Sequence, residues 1–165
     1  MAWRLWFPIL NAYFKQYRGL TDPQIGDFMT FVGVSMLVTS YIAGSITDYL
    51  KPRKSLIIYE LLGVFGVIFL QFEQPLLFIA APFIGFSIAF WVTAYNSLIT
   101  TYYGYNSIGR LRAVTDMTRA VTGVPAPLVG GYLMSINPLI TFTLSLALML
   151  TAIVPLSLIE SEERH

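Results

Sequence analysis

The sequence predicts an all-α fold, a polytopic membrane helix bundle. Of its 165 residues, 56% are hydrophobic and only 12% are charged, against about 25% charged in an ordinary soluble chain. The mean hydropathy is +0.66. The charges gather in short segments, leaving uncharged tracts at 28–47, 61–72, 74–109 and 120–159. Uncharged stretches of about 20 residues cross a bilayer as helices, because in lipid every backbone group must find its partner within the helix.

Two of these tracts are too long for one helix. The tract from Gln74 breaks at the polar turn Gly104, Tyr105, Asn106, Ser107, and the last divides at Ser135, Ile136, Asn137, Pro138, where proline opens the next helix. Helices are therefore expected at roughly 24–49, 55–72, 75–102, 111–134 and 138–159, each able to cross a core of about 30 Å. The first segment is shorter. Between Arg4 and Lys15 lie the uncharged residues Leu5 to Phe14, a reach of about 15 Å at helical rise. Ala2 to Tyr17 is read as half of a truncated first helix, with an interfacial helix anchored by Trp3 and Trp6 as the alternative. Six transmembrane segments result, in one domain spanning 1–165, with helix triplets over about 1–73 and 74–160 and a short tail at 161–165.

Charge placement sets the expected orientation. Lys51, Arg53 and Lys54 lie between helices two and three, and Arg110 and Arg112 between four and five, whereas the loops after helices three and five carry no Lys or Arg. The positive-inside rule puts those basic loops, and hence both termini, in the cytoplasm.

Several functions are disfavoured. There is no cysteine, and the one histidine is the terminal His165, so no metal site, thiol nucleophile or catalytic triad is expected. The expectation is of no enzyme and no cofactor. A net charge of +1 with the basic residues at helix ends offers no nucleic-acid face.

The segment Gly44, Ser45, Ile46, Thr47, Asp48, Tyr49, Leu50, Lys51, Pro52, Arg53, Lys54 ends a hydrophobic helix with a glycine, an aspartate four positions on, and a basic turn. It resembles the loop signature of the major facilitator superfamily, with Gly44, Asp48, Arg53 and Lys54 on the pattern and Tyr49, Lys51 and Pro52 off it. In helix five, Ala126, Pro127, Leu128, Val129, Gly130, Gly131 resembles the superfamily's proline and paired-glycine motif; Gly123, Ala126 and Gly130 form a small-residue face. Phe7, Pro8, Tyr13, Phe14 and the run Gly19 to Gly26 resemble the first helix and loop of its sugar and nucleoside symporters. Thr21 or Asp22 can cap helix two there, with Pro23 in its first turn.

The resemblance implies one six-helix half of a transporter, the N-terminal half favoured, built as two inverted three-helix repeats and rocking against a second half. That second half belongs to the same longer chain or to another copy. The partners implied are the lipid bilayer, that half, and a small-molecule solute with a proton or sodium ion as the coupling candidate, in the plasma membrane. The rival expectation is a transport-inactive fragment or a small helical subunit packed against a partner.

Charged residues inside spans are costly, about 2.5 to 3.5 kcal/mol each near a helix centre on insertion scales. Asp116 and Arg119, three apart in helix five, share a face and can pair. Arg119 is a solute-binding candidate and Asp116 an ion-pair or coupling candidate, against a structural pair or a snorkelling arginine. Helix four is dense in polar groups; Trp91, Tyr95 and Asn96, with Asn11 from helix one, are the remaining cavity candidates. Glu60 is assigned to a boundary ion pair near Lys54.

Overall fold

The computed structural model of the chain describes residues 2–103 and 108–158. The turn expected at Gly104 to Ser107 and the tail 161–165 lie outside the described residues. The fold is all-helical, 92% helix, with no strand among the described residues. Among the described residues seven α-helices follow in order: α1 (Ala2–Trp6), α2 (Leu10–Tyr17), α3 (Asp22–Phe69), α4 (Ala80–Tyr103), α5 (Ile108–Gly123), α6 (Pro125–Ile136) and α7 (Pro138–Leu158).

The first segment is helical over almost its whole length but changes pitch, with a 3₁₀ turn at Phe7–Ile9 between α1 and α2 where Pro8 removes a backbone donor. One of its faces is buried against the rest of the bundle. Trp6, Leu10, Tyr13 and Phe14 are fully buried or nearly so, at the spacing of one helical face, and form the centre of the core. Trp6 and Tyr13 both meet Phe142 of α7. Gly19, with φ +62°, ends this segment in the left-handed conformation that glycine adopts without strain.

Thr21 opens α3 through a capping box, in which the Gln24 side chain accepts from the Thr21 backbone N–H at 2.9 Å. The two helices expected at 24–49 and 55–72 are joined by almost no loop. Helical structure runs from Asp22 to Phe69 and is broken only at Lys51, where φ 72° and ψ 154° turn the chain. The limbs 22–50 and 52–69 run in opposite directions along α4. Phe28 at the start of one limb meets Phe78 in the 3₁₀ turn Leu76–Ile79 that leads into α4, and Phe69 at the end of the other meets Phe83 at the start of α4, while Thr47 meets Thr93 further along it. Proline at 52 suits this reversal, because the residue before a proline is disfavoured in the α region.

Apolar burial does not by itself drive helices together in lipid, so close packing and hydrogen bonds must do so. Gly85 shows how close α4 comes to the first limb: a Cβ there would stand 2.5 Å from the Val32 carbonyl oxygen. Gly66 is 3.0 Å by the same measure from Ile84. Ser87 donates to the Tyr59 carbonyl at 2.8 Å, tying α4 to the second limb.

The helix expected at 111–134 is divided at Val124 into α5 and α6. Pro125 and Pro127 cannot donate to the preceding turn, and two missing bonds within three residues bend the helix. The small face Gly123, Ala126 and Gly130 turns toward the first segment. A Cβ on Gly130 would overlap the Leu5 carbonyl, and one on Gly123 would overlap the Arg4 side chain. Among the described residues three stretches are long and apolar enough to cross a membrane: Asp22–Phe69, Leu76–Thr100 and Pro138–Ser157.

Candidate functional site

Most hydroxyl groups along the helices are used locally. Thr30, Ser40 and Ser45 donate to carbonyls one turn back in α3, and Thr93 and Thr100 do so in α4. Much of the polar density of helix four is therefore backbone bonding, and two aromatic residues stand apart from it. Trp91 and Tyr95, one turn apart, stack at 5.5 Å with their planes 6° from parallel. The Arg119 guanidinium lies over both rings, 4.8 Å from the Trp91 centroid and 3.8 Å from that of Tyr95. Such cation–π contacts are worth about 0.5 to 2 kcal/mol, the more the drier the site. They hold the guanidinium against α4.

These three residues line a cavity of about 640 Å³. α1 adds Trp3 and Arg4, the second limb of α3 adds Tyr59 and Glu60, and the end of α7 closes one side with Ala152, Pro155 and Leu156. Trp3 stacks on Tyr59 at 6.0 Å. A second aromatic pair thus joins Trp91 and Tyr95 around the charged groups. The volume falls in the range of about 300 to 1,000 Å³ typical of small-molecule sites, and an apolar wall with a few polar groups is their usual make-up.

The cavity is under-satisfied. Among the described residues five buried side-chain polar atoms lack a hydrogen-bond partner, and three of them, Trp3 Nε1, Glu60 Oε2 and the Tyr95 hydroxyl, belong to cavity residues. An unmet buried polar group costs about 1 to 3 kcal/mol, so the packing around the cavity is less complete than in the core.

Of the residues singled out in the sequence, Trp91, Tyr95 and Arg119 come together here. Asn11 is exposed outside the cavity lining, and Asn96 instead accepts from Arg112 at 3.3 Å. Asp116 is outside the lining and stands 3.8 Å from Arg119, an ion-pair contact beyond hydrogen-bond length. Arg4 and Glu60 are cavity residues the sequence reading missed. Glu60 was expected in a boundary pair near Lys54; its side chain instead faces inward beside Tyr59. Its signal was present as a carboxylate within a span, but depth along one helix does not say which neighbours surround it.

The loop motif takes up separate positions. Asp48 is exposed near the end of the first limb, as is Lys54 on the second. Arg53 donates from Nε to the Leu156 carbonyl at 2.6 Å and from Nη2 to the Ser157 carbonyl. It thereby caps the end of α7, where carbonyls lack helical partners and the helix dipole favours a cation. Gly44 has open space on its Cβ side, as has Gly131.

Among the described residues there is no cluster of His, Cys, Asp or Glu able to hold a metal. Comparison with curated proteins finds no match, and comparison with solved structures finds none. The sequence matches the family described as Major Facilitator Superfamily along its whole length, residues 1–165. With its long apolar helices, this makes the chain an integral membrane protein that belongs to the Major Facilitator Superfamily, a family of transporters.

Proposed function

We propose that this chain is one half of a secondary transporter and that the cavity between α1, α3, α4, α5 and α7 takes the solute. The observation that carries the proposal is the grouping of Arg4, Glu60 and Arg119 with three unpartnered buried polar atoms in one cavity of about 640 Å³. Six spans follow if the first segment, the two limbs of α3, α4, α5 with α6, and α7 each cross the bilayer. They group into inverted triplets over about 1–73 and 74–160 in the N-terminal half of a permease, with both termini cytoplasmic and the plasma membrane as the location. Asp116, beside Arg119 but outside the cavity, is the coupling candidate for a proton or sodium ion. Supporting the alternating-access mechanism is the bent α5–α6 pair, whose small face lets it move against the first segment.

In this proposal Asp48 serves gating. Exposed at the end of the first limb, it meets the positive end of a helix in the second half and helps hold the cytoplasmic side shut, a contact worth about 0.3 to 2 kcal/mol. Asp48→Asn then favours the inward-open state and slows turnover without weakening the solute site.

The test uses the transporter with both halves present. Arg119→Ala should lower solute uptake far more than it lowers the amount of protein in the membrane, and equal loss of both would make Arg119 structural and leave the non-transporting subunit as the better account. The chain has no cysteine, which permits a direct orientation test. Single cysteines at Lys54 and Arg112 should react with an impermeant reagent only from the cytoplasmic side, and labelling from outside would overturn the topology.

A further inference from the structure

The lining of the cavity narrows the class of solute it accepts, provided that it is the solute site proposed above. Of its fifteen lining residues five are aromatic, Trp3, Phe7, Tyr59, Trp91 and Tyr95, one in three where the whole chain has 15%. Seven of the other ten have no polar side-chain atom. The rings are also ordered. Trp3 of α1 and Tyr59 of α3 lie 19° from parallel, and Trp91 and Tyr95 of α4 lie 6° from parallel, so two stacked pairs border one space. The polar groups are committed elsewhere. Arg119 lies over Trp91 and Tyr95 and stands 3.8 Å from Asp116, and Arg4 is exposed, where solvent meets its charge. Trp3 Nε1, Glu60 Oε2 and the Tyr95 hydroxyl have almost no accessible surface, so a solute in the cavity does not reach them. A sugar entering here would give up water at each hydroxyl and find few partners, and each hydrogen bond left unmade weakens binding about fivefold or more. An aromatic solute gives up little and gains apolar burial together with ring contacts.

We infer that the cavity binds a weakly polar solute built on an aromatic ring system and rejects sugars and other polyols, although the first segment resembles that of sugar and nucleoside symporters. The aromatic pairs set the preference for flat rings, and the shortage of reachable polar groups sets the exclusion.

Three two-ring probes separate aromaticity, apolar area and hydroxyls: biphenylmethanol, its fully saturated analogue cyclohexylcyclohexylmethanol, and maltose. Binding is measured by equilibrium dialysis against the whole chain in nanodiscs, with uptake by empty nanodiscs of the same lipid subtracted. Biphenylmethanol should bind about 2- to 12-fold more tightly than the saturated analogue, the gain expected of ring contacts beyond buried area. It should bind at least about tenfold more tightly than maltose. Trp91→Leu keeps apolar bulk and removes a ring, so it should shrink the advantage over the saturated analogue; Trp3→Leu is the second variant should the first fail to fold. If the saturated analogue binds as tightly as biphenylmethanol, the aromatic preference is overturned. If maltose binds as tightly and Trp91→Leu weakens it, the cavity remains a solute site and the aromatic class is overturned. An advantage left unchanged in both folded variants would put the binding outside the cavity and overturn the inference. If biphenylmethanol shows no excess over empty nanodiscs with a chain that retains its helix content, as when an acyl chain of the bilayer fills the cavity, the inference fails as a whole, and uptake by the two-half transporter decides the transport proposal independently.

Discussion

The two ends of the bundle solve the same packing problem differently. At the end where the second limb of α3 finishes, Arg18 donates from Nη2 to the carbonyls of Leu70 and Gln71, at 3.3 and 2.5 Å, and from Nε to the Tyr13 hydroxyl at 2.6 Å. Tyr13 in turn donates to the Leu70 carbonyl at 3.0 Å, and Tyr17 donates to the Met134 carbonyl at 2.9 Å. A cation at a helix C-terminus is electrostatically favoured, and here it also meets carbonyls that have no helical partner. Around this cluster Phe14, Phe28 and Leu77 are fully buried in the core. At the other end the same first segment and the same limb stand apart around the 640 Å³ cavity, with Trp3, Glu60 and Tyr95 each holding an unpartnered polar atom. Both ends place an arginine beside aromatic rings. One uses it to complete the protein's own hydrogen bonds, and the other leaves neighbouring groups uncompleted. The difference separates a closed end from an open one, and the open one is the end to which the proposal above assigns the solute.

Substitutions can break or sharpen that contrast, and the largest effect should come from close backbone contact. Gly130→Ala places a methyl group against the Leu5 carbonyl, where only the main chain can yield, so a loss at the upper end of about 1 to 3 kcal/mol is expected. Thermal unfolding in detergent, followed by fluorescence, would measure it; an unchanged midpoint would mean that α1 and α6 are less firmly docked than their geometry indicates.

Next in size is Arg18→Gln, which removes the charged donor from Leu70 and Gln71. A loss of about 1.5 to 3 kcal/mol is expected from hydrogen bonds to a charged group, with solute uptake by the two-half transporter unchanged per molecule in the membrane. Loss of uptake along with stability would show that the two ends are coupled and not separate.

A smaller effect is expected of Thr47→Val. Thr47 is almost fully buried and lies 3.3 Å from the Thr93 hydroxyl. Because Thr93 keeps its bonds to Ala89 and Phe90 carbonyls, the loss should sit near about 0.5 kcal/mol, the low end for a neutral bond. A midpoint shift as large as that of Arg18→Gln would make this contact a principal tie between limb and α4.

Least expected to change stability is Glu60→Gln. It keeps the shape and withdraws a charge whose Oε2 has no hydrogen-bond partner among the described residues, so unfolding should shift by no more than about 0.5 kcal/mol, as at sites outside the structural network. Destabilisation comparable to that of Arg18→Gln would make Glu60 part of the scaffold and remove the contrast between the two ends.

The sequence alone carried the solvent, the secondary structure and part of the site. Long uncharged tracts reveal helices in lipid because a charge at depth and an open backbone group are both costly there, whatever the helix packs against. The same cost drew attention to Arg119, and the spacing of Trp91 and Tyr95 put them on one face of a helix. What periodicity does not encode is the relative position of separate helices. Whether Glu60 meets Lys54 or lines a cavity with Arg119, whether Asn11 points into that cavity, and whether the small face of Gly123, Ala126 and Gly130 meets a partner or the first segment all depend on how the chain turns at Lys51 and bends at Pro125. The turn at Lys51 rests on one left-handed residue, and the bend on two missing donors. Only the tertiary structure decided their outcome, because helix contacts in lipid come from the fit of particular surfaces and not from a general drive to bury apolar area.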